Sequence, residues 1–187
     1  MRILVVVDVQ NDFVTGALAN PEAQKVMPNI IEKVKEYQAD PNGYIIYTKD
    51  THGKEYPDTR ENRYLPILHC IDGTEGQEIC EGAIDYNHSR QLIEPKSTFA
   101  ASYWDDIIGE AVWDMDDETI ESIESIEIIG FCTDICVISN ALAIVSVVRD
   151  PSCDIFVDAS CCAGLTPEKH KAALEVMKSC QIEVINE

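Results

Sequence analysis

The sequence predicts an α/β protein of three layers, α/β/α, with a mostly parallel central sheet of about five or six strands. Three observations predict it. Short apolar runs alternate with longer segments of helical periodicity along the chain. The runs are continuously apolar, as in Ile3–Val7 and Ile126–Ile129, which is the pattern of strands buried on both faces and so of a parallel sheet covered by helices on each side. The 187 residues contain no repeat, low-complexity tract or linker, so residues 1–187 are expected to form a single domain large enough to bury a sizeable core.

The elements follow in order. Ile3–Val9 reads as the first strand, followed by a loop and an amphipathic helix near Pro28–Gln38. Pro41-Asn42-Gly43 is a turn and Tyr44–Thr48 the second strand. From Lys49 to about Gly82 the chain is polar and has little periodicity. Gln91–Pro95 is a third strand, Tyr103–Ile108 a short helix and Asp116–Ile123 another. Ile126–Gly130 is the next strand, leading into a long helix over Asp134–Arg149. Ile155–Ala159 is a strand, and Thr166-Pro167-Glu168 opens a helix with a capping residue and a proline at its first position, running to about Cys180. Glu183–Ile185 closes the sheet.

Acidic residues outnumber basic ones 34 to 14, a formal net charge of −20. That opposes binding to nucleic acid or to an anionic membrane surface, both of which call for a basic patch. No apolar run approaches the roughly 20 residues that span a bilayer. The chain opens on a strand pattern rather than a charged, apolar, cleavable leader, and a cytoplasmic location is the expectation. The eight cysteines, Cys70, Cys80, Cys132, Cys136, Cys153, Cys161, Cys162 and Cys180, lack the spacing of a disulfide framework and agree with a reducing compartment.

In a sheet of this kind ligands bind outside the carboxyl ends of the strands, so the residues following each strand are the ones to inspect. Gly130-Phe131-Cys132-Thr133-Asp134-Ile135-Cys136 joins a strand to a helix and puts Cys136 in a first helical turn. Unpaired N–H groups and the helix dipole gather there, which is expected to lower the thiol pKa and yield a nucleophile. A small core cysteine is the plainer alternative. Asp8, at the end of the first strand, either caps a turn or faces Cys136 as a proton acceptor. Lys96, after the third strand, is either a solvated surface residue or a cation that stabilises both groups.

Asp8-x-Gln-x-Asp-Phe, Lys96 and Gly-x-x-Thr-Asp-x-Cys136 stand in the order and spacing of the isochorismatase-like cysteine hydrolases, and the chain resembles their nicotinamidase branch from the first strand to the helix beginning at Thr166. The resemblance implies the isochorismatase-like hydrolase fold and a catalytic triad of Asp8, Lys96 and Cys136. It also implies a cis peptide between Phe131 and Cys132, with the backbone N–H groups of Cys132 and Cys136 as the oxyanion hole. The implied reaction is deamidation of nicotinamide to nicotinate and ammonia through a thioester on Cys136. The implied assembly is a homo-oligomer, dimer or tetramer.

Asp50-Thr51-His52 follows the second strand and His69-Cys70 lies further along the polar stretch. Asp and His two residues apart can converge on one ion, and an oxygen and imidazole set suits zinc, iron or manganese. The resemblance implies one divalent metal, zinc first, bound by Asp50, His52, Glu61 and His69 before the turn Gly73-Thr74-Glu75-Gly76. It departs from the commoner pattern, in which a second histidine soon follows the first: no histidine lies between His52 and His69, and Glu61 falls near that place. Glu55 and Asp58 are its rivals, and Cys70 is a soft-ligand alternative. His88 and His170 match nothing and read as surface residues. Such a metal would hold the ring nitrogen of a pyridine carboxamide.

Phe13, Phe99 and Tyr103 match pocket aromatics of the family and could sandwich a flat ring, or belong to the core. Leu65 and Pro66 stand where several relatives have an aromatic, which suits another amide, a pyrazine carboxamide or a carbamoyl compound. Other readings stay open: an isochorismatase acting on a vinyl ether, a hydrolase using metal-bound water, or a silent binding protein of the same fold. Cys161-Cys162, beside Gly164, is expected in a packed strand–helix turn.

Overall fold

The apolar runs become six strands in the computed structural model, which describes residues 1–115 and 123–187. They are β1 (Arg2–Val7), β2 (Gly43–Asp50), β3 (Gln91–Lys96), β4 (Ser125–Phe131), β5 (Asp154–Ala163) and β6 (Glu183–Ile185). They form one sheet in the order β3-β2-β1-β4-β5-β6, parallel at every junction. A parallel pair needs a crossover, and the helices supply it: α2 (Pro21–Ala39) before β2, α3 (Trp104–Asp114) before β4, α4 (Ile138–Val147) before β5 and α5 (Pro167–Ser179) before β6. A single short turn, α1 (Asn11–Val14), precedes α2.

Period-two side chains divide the core between the faces. Ile3, Val5, Val7, Tyr44, Ile46, Ile126 and Ile128 pack with Trp104, Ile107 and Ala111 of α3, Ala141 and Ile144 of α4 and Leu174 and Met177 of α5. Leu4, Val6, Ile45, Tyr47, Ile129 and Phe131 pack with Ala23, Ile30, Val34 and Tyr37 of α2. The three-layer architecture is thus the expected one. On the α2 face the buried Glu127 accepts from Tyr37 Oη at 2.9 Å and lies 2.9 Å from Lys33 Nζ, which also reaches Asp158 at 3.3 Å, so charged contacts as well as apolar ones bind α2 to β4 and β5.

Some expected boundaries move. The helix placed near Pro28–Gln38 begins seven residues earlier, because Asn20 is the true cap, its side chain accepting from the Glu22 N–H at 3.0 Å, with Pro21 in the first turn and Pro28 inside the helix. Helix α3 runs on to Asp114, beyond the expected Ile108. The helix expected over Asp134–Arg149 is two pieces, a π-helical turn at Thr133–Val137 and then α4. Cys161 and Cys162 lie inside β5 rather than in a turn; adjacent strand residues face opposite sides, and both sides are apolar. Of the helix expected over Asp116–Ile123, all but Ile123 lies outside the described residues. No helix among the described residues is long and apolar enough to cross a membrane.

From β1 the strand order runs outward through β2 to β3, then returns to β4 on the other side of β1. The direction of winding therefore reverses between β1 and β4, and the crevice at their carboxyl ends is where such sheets take ligands. Gly130 makes this junction close. Its φ is +120°, and a Cβ there would stand 2.1 Å from the Val7 carbonyl oxygen. Replacing Gly130 with Ala is expected to cost about 3 kcal/mol or more, read as a lowered urea midpoint; an unchanged midpoint would contradict this packing.

Candidate active site

Asp8 is the first residue beyond β1 and is fully buried. Its φ of +51° lies in the left-handed region, which aspartate enters more readily than most residues. Thr48 of β2 donates its hydroxyl to Asp8 Oδ1 at 2.7 Å, and Lys96 Nζ lies 2.6 Å from Asp8 Oδ2. Lys96 ends β3 beside Asp50 of β2, so register alone carries its ammonium to the strand ends. It is 3.7 Å from Asp50 Oδ1 and 3.9 Å from Cys136 Sγ. Cys136 sits in the π-helical turn that follows β4, after a cis peptide between Phe131 and Cys132. The Ile135 and Val137 N–H groups both donate to the Cys132 carbonyl, which tightens this turn around the thiol. Asp8, Lys96 and Cys136, far apart in sequence, are thus brought together at the switch point, beside the backbone of Cys132.

Burial disfavours the Asp8 carboxylate and raises its pKa, against the pull of Lys96; the Asp50 charge raises it further. Burial opposes the Lys96 ammonium too, but Asp8, Cys136 and Asp50 outweigh it and raise the lysine pKa. The Cys136 thiol is pushed well above its ordinary pKa by burial first and then by Asp8, with Lys96 opposing. This corrects the expectation of a lowered thiol pKa: a first-turn position helps a thiolate only where desolvation and a facing carboxylate do not dominate. Burial thus raises the proton affinity of both the Asp8 carboxyl and the Cys136 thiol, and the Lys96 ammonium opposes both rises.

A second cluster adjoins the first through Asp50. His52 Nε2 lies 3.1 Å and His69 Nε2 3.4 Å from Asp50 Oδ2. Glu61 lies 3.9 Å from His52 Nε2 and 3.5 Å from His69 Nε2. One ligand atom each from the buried Asp50, His52 and His69 falls within 4.8 Å of the others, an arrangement able to hold a metal ion. His69 Nδ1 faces the Ile67 carbonyl at 2.8 Å, which turns Nε2 toward the cluster. Two imidazoles and the Asp50 carboxylate gathered about one point, with Glu61 beside them, fit a divalent cation of zinc, iron or manganese type. Without a cation a proton takes its place: burial works against it, but Asp50 and Glu61 raise the His69 pKa to about 10. Glu55 and Asp58 are exposed, and Cys70 is packed in the α2-side core.

The loops holding these ligands are laced by residues whose roles the sequence did not disclose. Gln10 is fully buried; its amide donates to the carbonyls of Asp50 and Gln77, both at 2.8 Å, and its oxygen accepts from the Asp50 N–H at 2.7 Å. Asp12 accepts from the N–H groups of Cys70 at 2.7 Å and Ala17 at 2.9 Å. The backbone N–H of His52 donates to the Cys70 carbonyl and the His52 carbonyl accepts from the Asp72 N–H, both at 2.9 Å. The Tyr56 ring meets those of His52 and His69 at 4.7 and 5.1 Å between centroids. The spacing Asp8-x-Gln10-x-Asp12 was the available signal, since one short segment supplies the buried Asp8 carboxyl and two clamps on the backbone of Asp50 and Cys70.

Phe13 is buried with its ring 6.0 Å from that of His69, beside the ligand cluster. Phe99 is half-exposed, and Tyr103 is 76% exposed at the start of α3. His170, expected at the surface, is half-buried and lies 2.8 Å from Thr133 Oγ1 in the nucleophile turn.

A doubly wound parallel sheet with acid, amine and thiol at its switch point defines an α/β enzyme of the hydrolase class. The sequence model of the Isochorismatase domain matches residues 2–187, and the chain belongs to that family. It is 24% identical over 190 residues to a nicotinamidase/pyrazinamidase of Mycobacterium tuberculosis, covering 99% of this chain and 98% of that protein. Its fold is that of the nicotinamidase/pyrazinamidase of Bacillus subtilis (TM-score 0.82, 23% identity, 99% of each chain). The pyrazinamidase of Pyrococcus horikoshii in complex with zinc also shares it (TM-score 0.75, 24% identity, 100% of this chain and 99% of that one).

The electrostatics carry a test with a definite sign. Asp8 raises the Cys136 pKa and Lys96 lowers it. Asp8→Asn is therefore expected to leave the thiol beside a cation that only Asp50 still offsets, and to speed its alkylation by iodoacetamide at pH 7 by about tenfold, each pKa unit being tenfold in thiolate. A slower or unchanged rate would show that the Asp8 charge does not govern the thiol.

Proposed function

We propose that this chain is a cysteine amidohydrolase that deamidates nicotinamide or a close pyridine or pyrazine carboxamide, acting as a single domain over residues 1–187. The observation that carries this reading is Lys96 Nζ, 2.6 Å from Asp8 Oδ2, 3.9 Å from Cys136 Sγ and 3.7 Å from Asp50 Oδ1, which joins a nucleophile and its base to a cation-binding cluster. The substrates named for the relatives from Mycobacterium tuberculosis and Bacillus subtilis point to the same class of amide.

Asp8 takes the Cys136 proton as sulfur attacks the amide carbonyl carbon, so no free thiolate need accumulate. The oxyanion is met by the backbone N–H groups of Cys132 and Cys136. Asp8 then passes the proton to the amide nitrogen, the C–N bond breaks and ammonia leaves, with a thioester on Cys136. Asp8 next takes a proton from water, whose oxygen attacks the thioester; the C–S bond breaks, the proton returns to sulfur, and the product leaves as the carboxylic acid, which ionises by losing its proton to solvent. Lys96 remains an ammonium throughout and keeps the Asp8 charge tolerable in a buried site.

Asp50, His52, Glu61 and His69 would hold the divalent metal, zinc first, with iron or manganese as alternatives. When bound, it supplies a Lewis-acid position for a ring nitrogen, and so orients the ring to which the carboxamide is attached. Phe13, beside His69, would form one wall, with Phe99 and Tyr103 completing the pocket.

Cys136→Ala is expected to lower ammonia release from nicotinamide or pyrazinamide by about three orders of magnitude or more while the circular dichroism spectrum stays that of the parent. Residual turnover near the parent level would remove the thiol from the mechanism; release only from another amide would keep the mechanism and change the substrate. His69→Ala is expected to reduce bound metal from roughly one per chain to a small fraction of that, read by elemental analysis after dialysis. Full retention would remove His69 from the ligand set.

A further inference from the structure

Asn140 lies on α4, one turn beyond the nucleophile, and is fully buried. Each hydrogen-bonding position of its amide is used. Oδ1 accepts from the Ala101 N–H at 2.9 Å and from Trp104 Nε1 at 3.1 Å. Nδ2 donates to the Cys136 carbonyl at 2.8 Å and to the Phe99 carbonyl at 3.1 Å. Two N–H donors on one side and two carbonyls on the other allow the amide only one orientation. An aspartate could not donate to the carbonyls, and a leucine of similar size would leave buried partners unmet.

The four partners belong to two parts of the site. Cys136 carries the thiol. Phe99, Ala101 and Trp104 belong to the crossing from β3 to α3, which begins immediately after Lys96 and carries both Phe99 and Tyr103. Most of that crossing is exposed, and Ala101 and Trp104 are its buried anchors, 5% and 2% exposed. We infer that Asn140 is a positioning residue that pins this crossing, a wall of the substrate pocket, in fixed register with the backbone of Cys136. It acts on where the amide is held relative to sulfur, and leaves proton transfer to Asp8. The inference rests on the reading of the site as a thiol amidohydrolase.

The test uses Asn140→Leu and, as a milder change, Trp104→Phe, which removes one of the four bonds. KM for the amide substrate is expected to rise at least fivefold in Asn140→Leu with kcat lowered less than threefold, and to rise two- to threefold in Trp104→Phe. A spectroscopic arm does not depend on turnover. The chain has two tryptophans, and Trp113 is 85% exposed on α3, so Trp113→Phe leaves Trp104 as the sole tryptophan, excited selectively at the red edge of the absorption band where tyrosine does not absorb. In that background, alkylation of Cys136 with iodoacetamide is expected to shift Trp104 emission, and the shift is expected to vanish when Asn140→Leu is added. A folded Asn140→Leu with KM and kcat within twofold of the parent, or an emission shift that persists, would overturn the inference. If Asn140→Leu does not fold, Trp104→Phe decides, and an unchanged KM overturns it. If the parent turns over no amide, the proposed reaction fails while the emission arm still judges Asn140.

Discussion

The ammonium of Lys96 is buried among three groups that titrate as anions: the Asp8 carboxylate at 2.6 Å, the Asp50 carboxylate at 3.7 Å and the Cys136 sulfur at 3.9 Å. Taking any one of these charges out of water costs several kcal/mol, and the cost is recovered only if the charges meet at close range. In a chain of net charge −20, a pair of buried acids at the carboxyl end of a sheet would otherwise repel each other and protonate. Lys96 offsets both at once, and it can do so because β3 ends level with Asp50 of β2. That one cation works against burial throughout the site: it opposes the rise of the Asp8 and Cys136 pKa values, and its own is raised by them.

The placement of these groups is a property of topology. Asp8 follows β1 and Cys136 follows β4, the two strands between which the winding reverses. Groups on two separate parts of the chain therefore meet at the carboxyl ends of the sheet, the place where such sheets take ligands. Rigidity comes from polar residues that tie loops to strands. Gln10 holds the backbone of Asp50, Asp12 holds that of Cys70, and Thr48 holds Asp8. Asn140 ties the Ala101 N–H to the Cys136 carbonyl in the same way. Each is a side chain bonded to backbone or carboxylate, the kind of bond that fixes position more than it adds stability.

Much of the fold was legible because burial on both faces writes itself as unbroken apolar runs. Ile3–Val7 and Ile126–Ile129 could hardly be other than central strands, and both are. Boundaries were less legible where local signals compete. Pro28 looked like a helix start, yet Asn20-Pro21 was the stronger start and the helix ran through Pro28. Cys161-Cys162 looked like a turn because Gly164 follows, but β5 extends through it with a register shift against β4. The turn at Thr133–Val137 was read as ordinary α-helix, since periodicity cannot distinguish a π-helical turn from the first turn of an α-helix.

For the site, the residue types and their order along the chain were in the sequence: an acid, an amine and a thiol each just beyond a strand, and Asp50, His52, Glu61 and His69 along one polar loop. Sequence determines these because strand ends and ligand chemistry are local matters. Their convergence was decided only in three dimensions. Glu61, separated from His69 by the turn at Glu61–Arg63 and the residues after it, comes within 3.5 Å of that imidazole, while Glu55 and Asp58 stay exposed. The sign of the Cys136 shift was decided there as well, because desolvation and the Asp8 charge depend on what surrounds the sulfur rather than on its place in a helix. Sequence names the groups that can react; tertiary structure sets the distances and the dielectric between them, and with these the proton affinities on which the chemistry turns.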